Sequence, residues 1–451
     1  MNWKYITNTL TKKTAMAPLA AFRFLFGMVM ALSTLRFMVR GWVENLYVHP
    51  KLFFPYYGFE WVQPLPGIGM HVVFGFMFIA FIGVALGWYY RSSAFIAFLL
   101  FTYVELIDKT NYLNHYYFVS IICFLLLFLP AHRWFSLDVK QQRVTPLTDL
   151  PQWVIGILRL QIGMVYFFAG LAKLNADWLL EALPLNLWLK SFIDVPVIGP
   201  WLGEDLTAYA FSWFGAIYDL SIPFLLLFRK TRTMAYAFVI LFHTATALLF
   251  PIGMFPWIMM LCTLVFFPAS FHQRWMRPLH FLFDPAKETT ASPVNYRPNR
   301  IGATILIGFL LIQLALPFRH LLYPGKLFWT EQGYRFSWRV MLMEKAGYAI
   351  FHIEDLDSGR KWEVNNYDYL TPNQEKMMAT QADMLLQFAH HLRKVYAEQG
   401  LSNLRITVEN YVSLNGRRSQ LMIDPEVDLS KVKDSFAHKP WILPFKAEKS
   451  S

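Results

Sequence analysis

Trp153-Val-Ile-Gly-Ile-Leu-Arg159-Leu-Gln-Ile-Gly-Met-Val-Tyr166-Phe-Phe-Ala-Gly-Leu-Ala-Lys173-Leu174 sets the architecture of this chain. At 1.5 Å per residue the run is long enough to cross a bilayer core of about 30 Å. Its one oddity is Lys173 at the far end, followed by Asn175-Ala-Asp-Trp178. A charged amine is costly at that depth, so the position favours a neutral lysine, and a neutral lysine is a base. The plainer reading is a lysine that snorkels to the interface as an anchor.

Composition extends this reading to the whole molecule. Of 451 residues, 56% are hydrophobic and only 16% charged, against roughly 25% charged in soluble domains. Mean hydropathy is +0.34. The chain therefore reads as a polytopic α-helical membrane protein with about nine transmembrane helices. They fall near 17–39, 69–89, 93–110, 115–131, 153–174, 206–228, 233–250, 254–269 and 301–319. The third and fourth are short and joined by a polar knot, which leaves open a re-entrant segment. The first apolar segment is long enough to remain as a helix rather than be cleaved as a leader.

Charge orients the bundle. The net charge of +11 is not a nucleic-acid signature, because residues 321–451 are nearly balanced at 17 basic against 16 acidic. The excess lies in residues 1–320, at 24 against 14, and falls in short loops. With the N-terminus inside, Lys4, Arg91, Arg133, Arg229, Lys287 and Arg297 are among the inner basic residues. The outer set is Arg40, Lys51, Lys109, Lys173 and Lys190. This predicts a cytoplasmic N-terminal tail at 1–16, a transmembrane domain at 17–320 and a C-terminal domain at 321–451 on the outer side. In that last part, 347–353, 361–364 and 404–412 read as strands and Pro372 to Glu398 as one helix, a small α+β extracytoplasmic domain.

The same topology puts two polar features at one end of the bundle. One is Lys173. The other is Glu105-Leu-Ile-Asp108-Lys109-Thr-Asn-Tyr-Leu-Asn114-His115-Tyr-Tyr117. His115 and Lys173 facing one cavity is one reading; Asp108 and Lys109 pairing at the interface while His115 caps a helix is the other. Asp219, inside a span, needs a partner, with Arg159 or Arg23 as candidates. His243 is either a functional or a structural membrane histidine. Cys123 and Cys262 both lie inside spans, and no HExxH, CxxC, P-loop, GxGxxG or GxSxG pattern occurs, so no metal site is expected. His390 and His391 are expected on a solvent-facing helix surface.

An ordered set of stretches resembles the vitamin K-dependent γ-glutamyl carboxylase family, including its bacterial homologues. They are Leu19 to Gly27, Leu106 to His115, Leu158 to Gly170, Lys173 to Trp178, Asp219 to Ser221, Leu249 to Phe255, Tyr334 to Trp338, Ala382 to Leu385 and Asp424 to Asp428. The resemblance implies a lysine base acting on reduced vitamin K (the hydroquinone, a co-substrate). O₂ then converts it to a strongly basic alkoxide that takes the γ-proton of a peptidyl glutamate, and the carbanion adds CO₂. Carried over by motif, the base falls on Lys173, and its partner on His115, which would accept a hydrogen bond from the amine. Asn114 and His243 fall beside the quinone, and Tyr334, Trp338 and Arg417 where the glutamate-containing peptide or protein substrate binds. No metal is implied.

Departures from the animal enzyme are local. Ala172 replaces the first of two lysines, the luminal disulfide is absent, and Glu344 to Arg360 matches poorly. The animal enzyme's long region beyond Asp428 has no counterpart here, which leaves substrate recognition open. These features point to a bacterial inner membrane with the outer domain in the periplasm. Two other readings stand beside this one: an enzyme of the same fold using a quinol on another substrate, and a non-catalytic membrane maturation factor. Paired broken helices or an inverted repeat, the marks of a transporter, are not evident.

Overall fold

The computed structural model describes residues 10–283, Tyr296 and 300–446. Lys4, Lys287 and Arg297, most of the expected N-terminal tail and the last five residues lie outside the described residues.

Among the described residues, seven helices are long and apolar enough to cross a membrane. They are α1 (Ala17–Val39), α2 (Gly69–Leu86), α3 (Tyr90–Ile107), α5 (Gln152–Lys173), α6 (Asp205–Leu227), α7 (Arg232–Leu249) and the final span Arg300–Leu322, whose α-helical part, α10, is Arg300–Ala315. The expected count of nine is modified at two places. The fourth segment, α4 (Asn114–Phe128), has only 15 residues, about 22 Å of helix. The eighth, α8 (Phe255–Thr263), continues as a 3₁₀ turn to Phe266 and then bends by 120° into α9 (Ala269–Met276) and the short turns that follow it. Pro268 sits at the bend, and the residue before a proline is driven out of helical geometry, as extended Phe267 shows.

Successive helices run in alternate directions, so the loops sort to two ends. At one end, strand β1 (Lys13–Ala15) pairs antiparallel with β2 (Asp149–Pro151). Fully buried Arg23 also closes this end by donating to the carbonyls of Val84, Ala85 and Phe135. Arg159 donates to the Val265 carbonyl at 3.0 Å. Neither arginine reaches Asp219, which corrects that expectation.

The other end carries Lys51, Lys109, Lys173 and the C-terminal α+β domain. Its sheet has the order β4 (Lys361–Glu363), β3 (Lys345–Asp355), β5 (Leu404–Leu414), β6 (Gln420–Leu421), antiparallel throughout. The strand β5 alternates buried and half-buried residues along its whole length, the pattern of a sheet covered on one face. The helix expected from Pro372 to Glu398 is two helices, α11 (Pro372–Met378) and α12 (Ala382–Glu398). The break has long-range causes: Asn410 donates to the Ala379 carbonyl and Lys345 to that of Thr380, so those acceptors serve the sheet. His390 and His391 are half-buried rather than on the surface: His390 bonds the Val432 carbonyl, and His391 packs on Phe388 and Tyr369.

The domain is fastened to the bundle by polar side chains. Lys109 pairs with Asp383 at 2.9 Å, Gln374 donates to Asp108 at 2.9 Å, and Lys51 donates to the Asp368 carbonyl. The polar knot is thus a docking surface, and Asp108 and Lys109 do not pair with each other.

Candidate functional site

Three helices line a chamber inside the bundle with one face each. On α5, Tyr166, Ala169 and Lys173 follow the three- and four-residue spacing of a single helix face, as do Gly215 and Asp219 on α6, and Phe242, His243 and Thr246 on α7. The chamber has a cavity volume of about 90 Å³ and its other walls are largely apolar, with Trp178, Phe250, Phe255 and Met259 among them.

Two polar pairs stand out against these walls. Lys173 Nζ donates to Asp219 Oδ2 at 2.5 Å, with both residues buried. The amine also lies 3.5 Å from the Ala169 carbonyl and 5.4 Å from the centre of the Trp178 ring. Trp178 is itself held against α6 by its indole N–H to the Ser212 carbonyl. In the second pair the Tyr166 hydroxyl meets His243 Nε2 at 2.9 Å, and His243 Nδ1 has no partner among the described residues.

Next to the chamber, a vestibule of about 580 Å³ opens between the bundle and the C-terminal domain. Chamber and vestibule share Trp188, Ile252, Phe255, Val340 and Met341 as walls. Its lining is cation-rich: Arg36, Lys109, Arg335 and Lys345 against Glu331 and Glu344. Arg335 pairs with Asp383 and Lys345 with Glu331, both at under 3 Å. Burial raises the Asp383 carboxyl, but Arg335 and Lys109 outweigh it and hold it far below the usual carboxylate range. Burial in turn pushes the Lys109 amine down, with Asp383 opposing.

The segment between the two spaces is strained. Phe336, Trp338 and Met341 all have positive φ, at 64°, 58° and 53°. Each non-glycine residue so placed costs about 1–2 kcal/mol. Packing holds them: Phe336 against Tyr56, Tyr112 and Tyr117, and Trp338 against Tyr117 and Phe118.

The residues singled out from sequence fall into three groups. Lys173 and His243 share the chamber. His115, Asn114 and Tyr334 line the vestibule instead. His115 does not bond the Lys173 amine; Asp219 does, and His115 lies across Phe255 from the chamber, with the two rings 5.8 Å apart. Asn114 donates to the Arg339 carbonyl and accepts from Tyr112, and the Tyr334 hydroxyl donates to that same carbonyl.

Trp338 and Arg417 stand apart from both spaces. Trp338 is wholly buried in the bundle core and lines neither space. Arg417 pairs with Asp177 at 3.1 Å and Glu181 at 2.7 Å, which makes it a clamp between domain and bundle. Asp219, Tyr166, Arg335 and Lys345 are site residues that sequence reasoning did not assign. Asp219 alone carried a signal, as a carboxylate inside a span. Among the described residues, no group of three or more His, Cys, Asp or Glu is placed to hold a metal.

Bundle, docked domain and the internal Lys173–Asp219 pair together define a helical membrane protein with a polar site beside an interdomain vestibule. Residues 11–271 match the HTTM domain, and residues 298–448 match the vitamin K-dependent gamma-carboxylase, lumenal domain. The first match alone covers more than half of the sequence, and with the second following it in order the chain belongs to the vitamin K-dependent gamma-glutamyl carboxylase family. No solved structure matches it. Membership points to a vitamin K-dependent carboxylase acting on a glutamate-containing substrate from within a membrane.

Proposed function

We propose that this protein is an integral-membrane γ-glutamyl carboxylase that couples oxidation of vitamin K hydroquinone by O₂ to addition of CO₂ at a peptidyl glutamate, with Lys173 as the base. The observation that carries the reading is the buried Lys173–Asp219 pair in an apolar chamber walled off from, yet adjacent to, a cation-lined vestibule. The chamber fits a lipid-soluble naphthoquinol: apolar walls for the ring system, and two polar pairs, one of them with an orphaned histidine nitrogen, for its oxygens. With O₂, the bound hydroquinone supplies the strong base that takes the peptide's γ-proton.

The chain's own residues have distinct tasks. Asp219 fixes the direction of the Lys173 amine and compensates its charge once it has taken a proton. His243, oriented by Tyr166, borders the same space. The apolar walls exclude water, which would quench a strong oxygen base. In the vestibule, Arg36 together with Lys109, Arg335 and Lys345, which outnumber their partners Asp383 and Glu331, leaves a net positive field for the peptide's carboxylates, with Tyr334 and Asn114 shaping the floor. His115 acts there by position, packed on Phe255 where the two spaces meet.

In this reading, residues 1–16 are a cytoplasmic tail, 17–320 the catalytic bundle, and 321–451 a substrate-binding domain facing the periplasm of a bacterial inner membrane. The test is direct. Purified protein, vitamin K hydroquinone, labelled bicarbonate and a glutamate peptide should yield a peptide heavier by one carboxyl group, together with vitamin K epoxide. Lys173→Ala is expected to abolish both products. Epoxide formation at the wild-type rate in that variant would remove the lysine from the mechanism.

A further inference from the structure

A second groove lies on the outer wall of the bundle, on the face of α5 turned away from the chamber. Phe168, Leu171 and Leu174 of α5 and its end form one wall, and Phe318 and Leu321 of the final span form the other. Its volume is about 480 Å³. Leu321 is 71% exposed and Leu174 51%, at the ends of two membrane spans, so these walls face the bilayer sideways.

The floor of this groove carries Arg339, Lys326 and His320 beside one carboxylate, Asp177, which is already paired with Lys326 and Arg417. Arg339 spans the wall between vestibule and groove: its carbonyl accepts from Asn114 and Tyr334 on the vestibule side. Its guanidinium reaches the other way, with Nη2 within 3.2 Å of both ring nitrogens of His320, a groove residue that does not line the vestibule. Arg339 is only 9% exposed, its Nε has no hydrogen-bond partner, and no carboxylate pairs with it among the described residues. Lys326 stands beside it, its amine on Asp177. A buried guanidinium without a counter-charge is expensive, and the anion that suits its fork best is a phosphate.

We propose that this groove is a binding site for an anionic phospholipid of the surrounding bilayer. The phosphodiester lies on Arg339 with Lys326 at its edge, and the acyl chains run over Phe168, Leu171, Phe318 and Leu321. A free phosphate would use the floor alone; the exposed apolar walls, at the rim of two spans, are matched only by a headgroup that arrives with its chains. The site is separate from the chamber and does not depend on the carboxylase reading.

Native mass spectrometry of the full chain tests it, after exchange into bilayers of phosphatidylcholine and phosphatidylglycerol. Wild-type protein is expected to retain one phosphatidylglycerol in preference to phosphatidylcholine. Arg339→Gln should weaken that preference about tenfold or more, the worth of a charged hydrogen bond. Should Arg339→Gln unfold, Leu321→Glu decides the matter, because it puts a like charge in the acyl-chain path of an exposed position and should lower retention in a folded protein. Equal retention of both lipids by the wild type, or unchanged preference in the folded variants, overturns the proposal. Glycerol phosphate binding as tightly as the intact lipid also overturns it, since the apolar walls would then contribute nothing. None of these readouts requires turnover.

Discussion

At Lys173, a 2.5 Å contact with Asp219 inside apolar walls means that neither side chain tolerates loss of the other. Removing one partner of a buried hydrogen-bonded pair leaves the other polar group unsatisfied at a cost of about 1–3 kcal/mol, whereas replacing both partners by apolar groups of similar shape is nearly neutral. Asp219→Leu is therefore expected to lower thermal stability markedly and to abolish carboxylation. The double variant Lys173→Met with Asp219→Leu should recover most of the stability and none of the activity. Thermal unfolding in detergent and the labelled-bicarbonate assay read the two effects separately; a double variant as unstable as the single one would show that the pair is not the relevant coupling. Both residues were legible singly, as ionisable groups in apolar segments. Their pairing was not, because the partners lie 46 residues apart on two helices whose contact no local pattern reveals. His115, carried over by motif as the amine's partner, lies across Phe255 instead, because a motif fixes a residue type and not which side of Phe255 its ring will occupy.

Between α5 and α6, that pairing depends on close approach at Gly170. A Cβ there would meet the backbone nitrogen of Leu220, next to Asp219, at 2.8 Å, closer than real Cβ atoms come. Gly170→Ala must push α6 outward and lengthen the Lys173–Asp219 contact. The expected result is a folded protein with activity down by about a hundredfold, the cost of an ångström-scale misplacement. Gly163→Ala on the same helix is the control: its nearest neighbour is Pro223 Cβ at an ordinary 3.6 Å, so activity should hold. Equal activity in the two variants would detach helix spacing from the chemistry. At this scale the sequence was most readable where one property sufficed. Apolar length located the spans, and alternation located β3 and β5. It was least readable where distant partners intervene: the break at 379–381 exists because Asn410 and Lys345 take carbonyls that a continuous helix would have used.

Across the whole molecule, the vestibule exists only while the C-terminal domain stays docked on the bundle, and carboxylates hold it there. Asp177, just past the end of α5, receives Lys326 at 3.0 Å and Arg417 at 3.1 Å from the domain side. Burial raises its carboxyl, but Lys326 and Arg417 outweigh that and hold it below the usual carboxylate range. Asp383 does the same from the opposite side, toward Lys109. Arg417 read from sequence as a peptide contact because its neighbourhood resembles a substrate loop; only docking shows that its charge is already committed. The linkage has a definite sign. A carboxyl depressed in the folded state binds protons more weakly than in the unfolded chain, where it titrates near 4. Its contribution is fully present above that value and is lost as pH falls through the depressed folded value. Domain docking should therefore be insensitive to pH from neutrality down to about 5 and weaken below about 4. Limited proteolysis across the segment joining the final span to β3, followed as a function of pH, measures this. The wild type is expected to become cleavable only under acid conditions, while Asp177→Asn should be cleavable already at neutral pH and show a shallower acid transition. A variant as resistant as the wild type at pH 7, with an unchanged acid profile, would mean that the Asp177 clamp does not hold the two parts together.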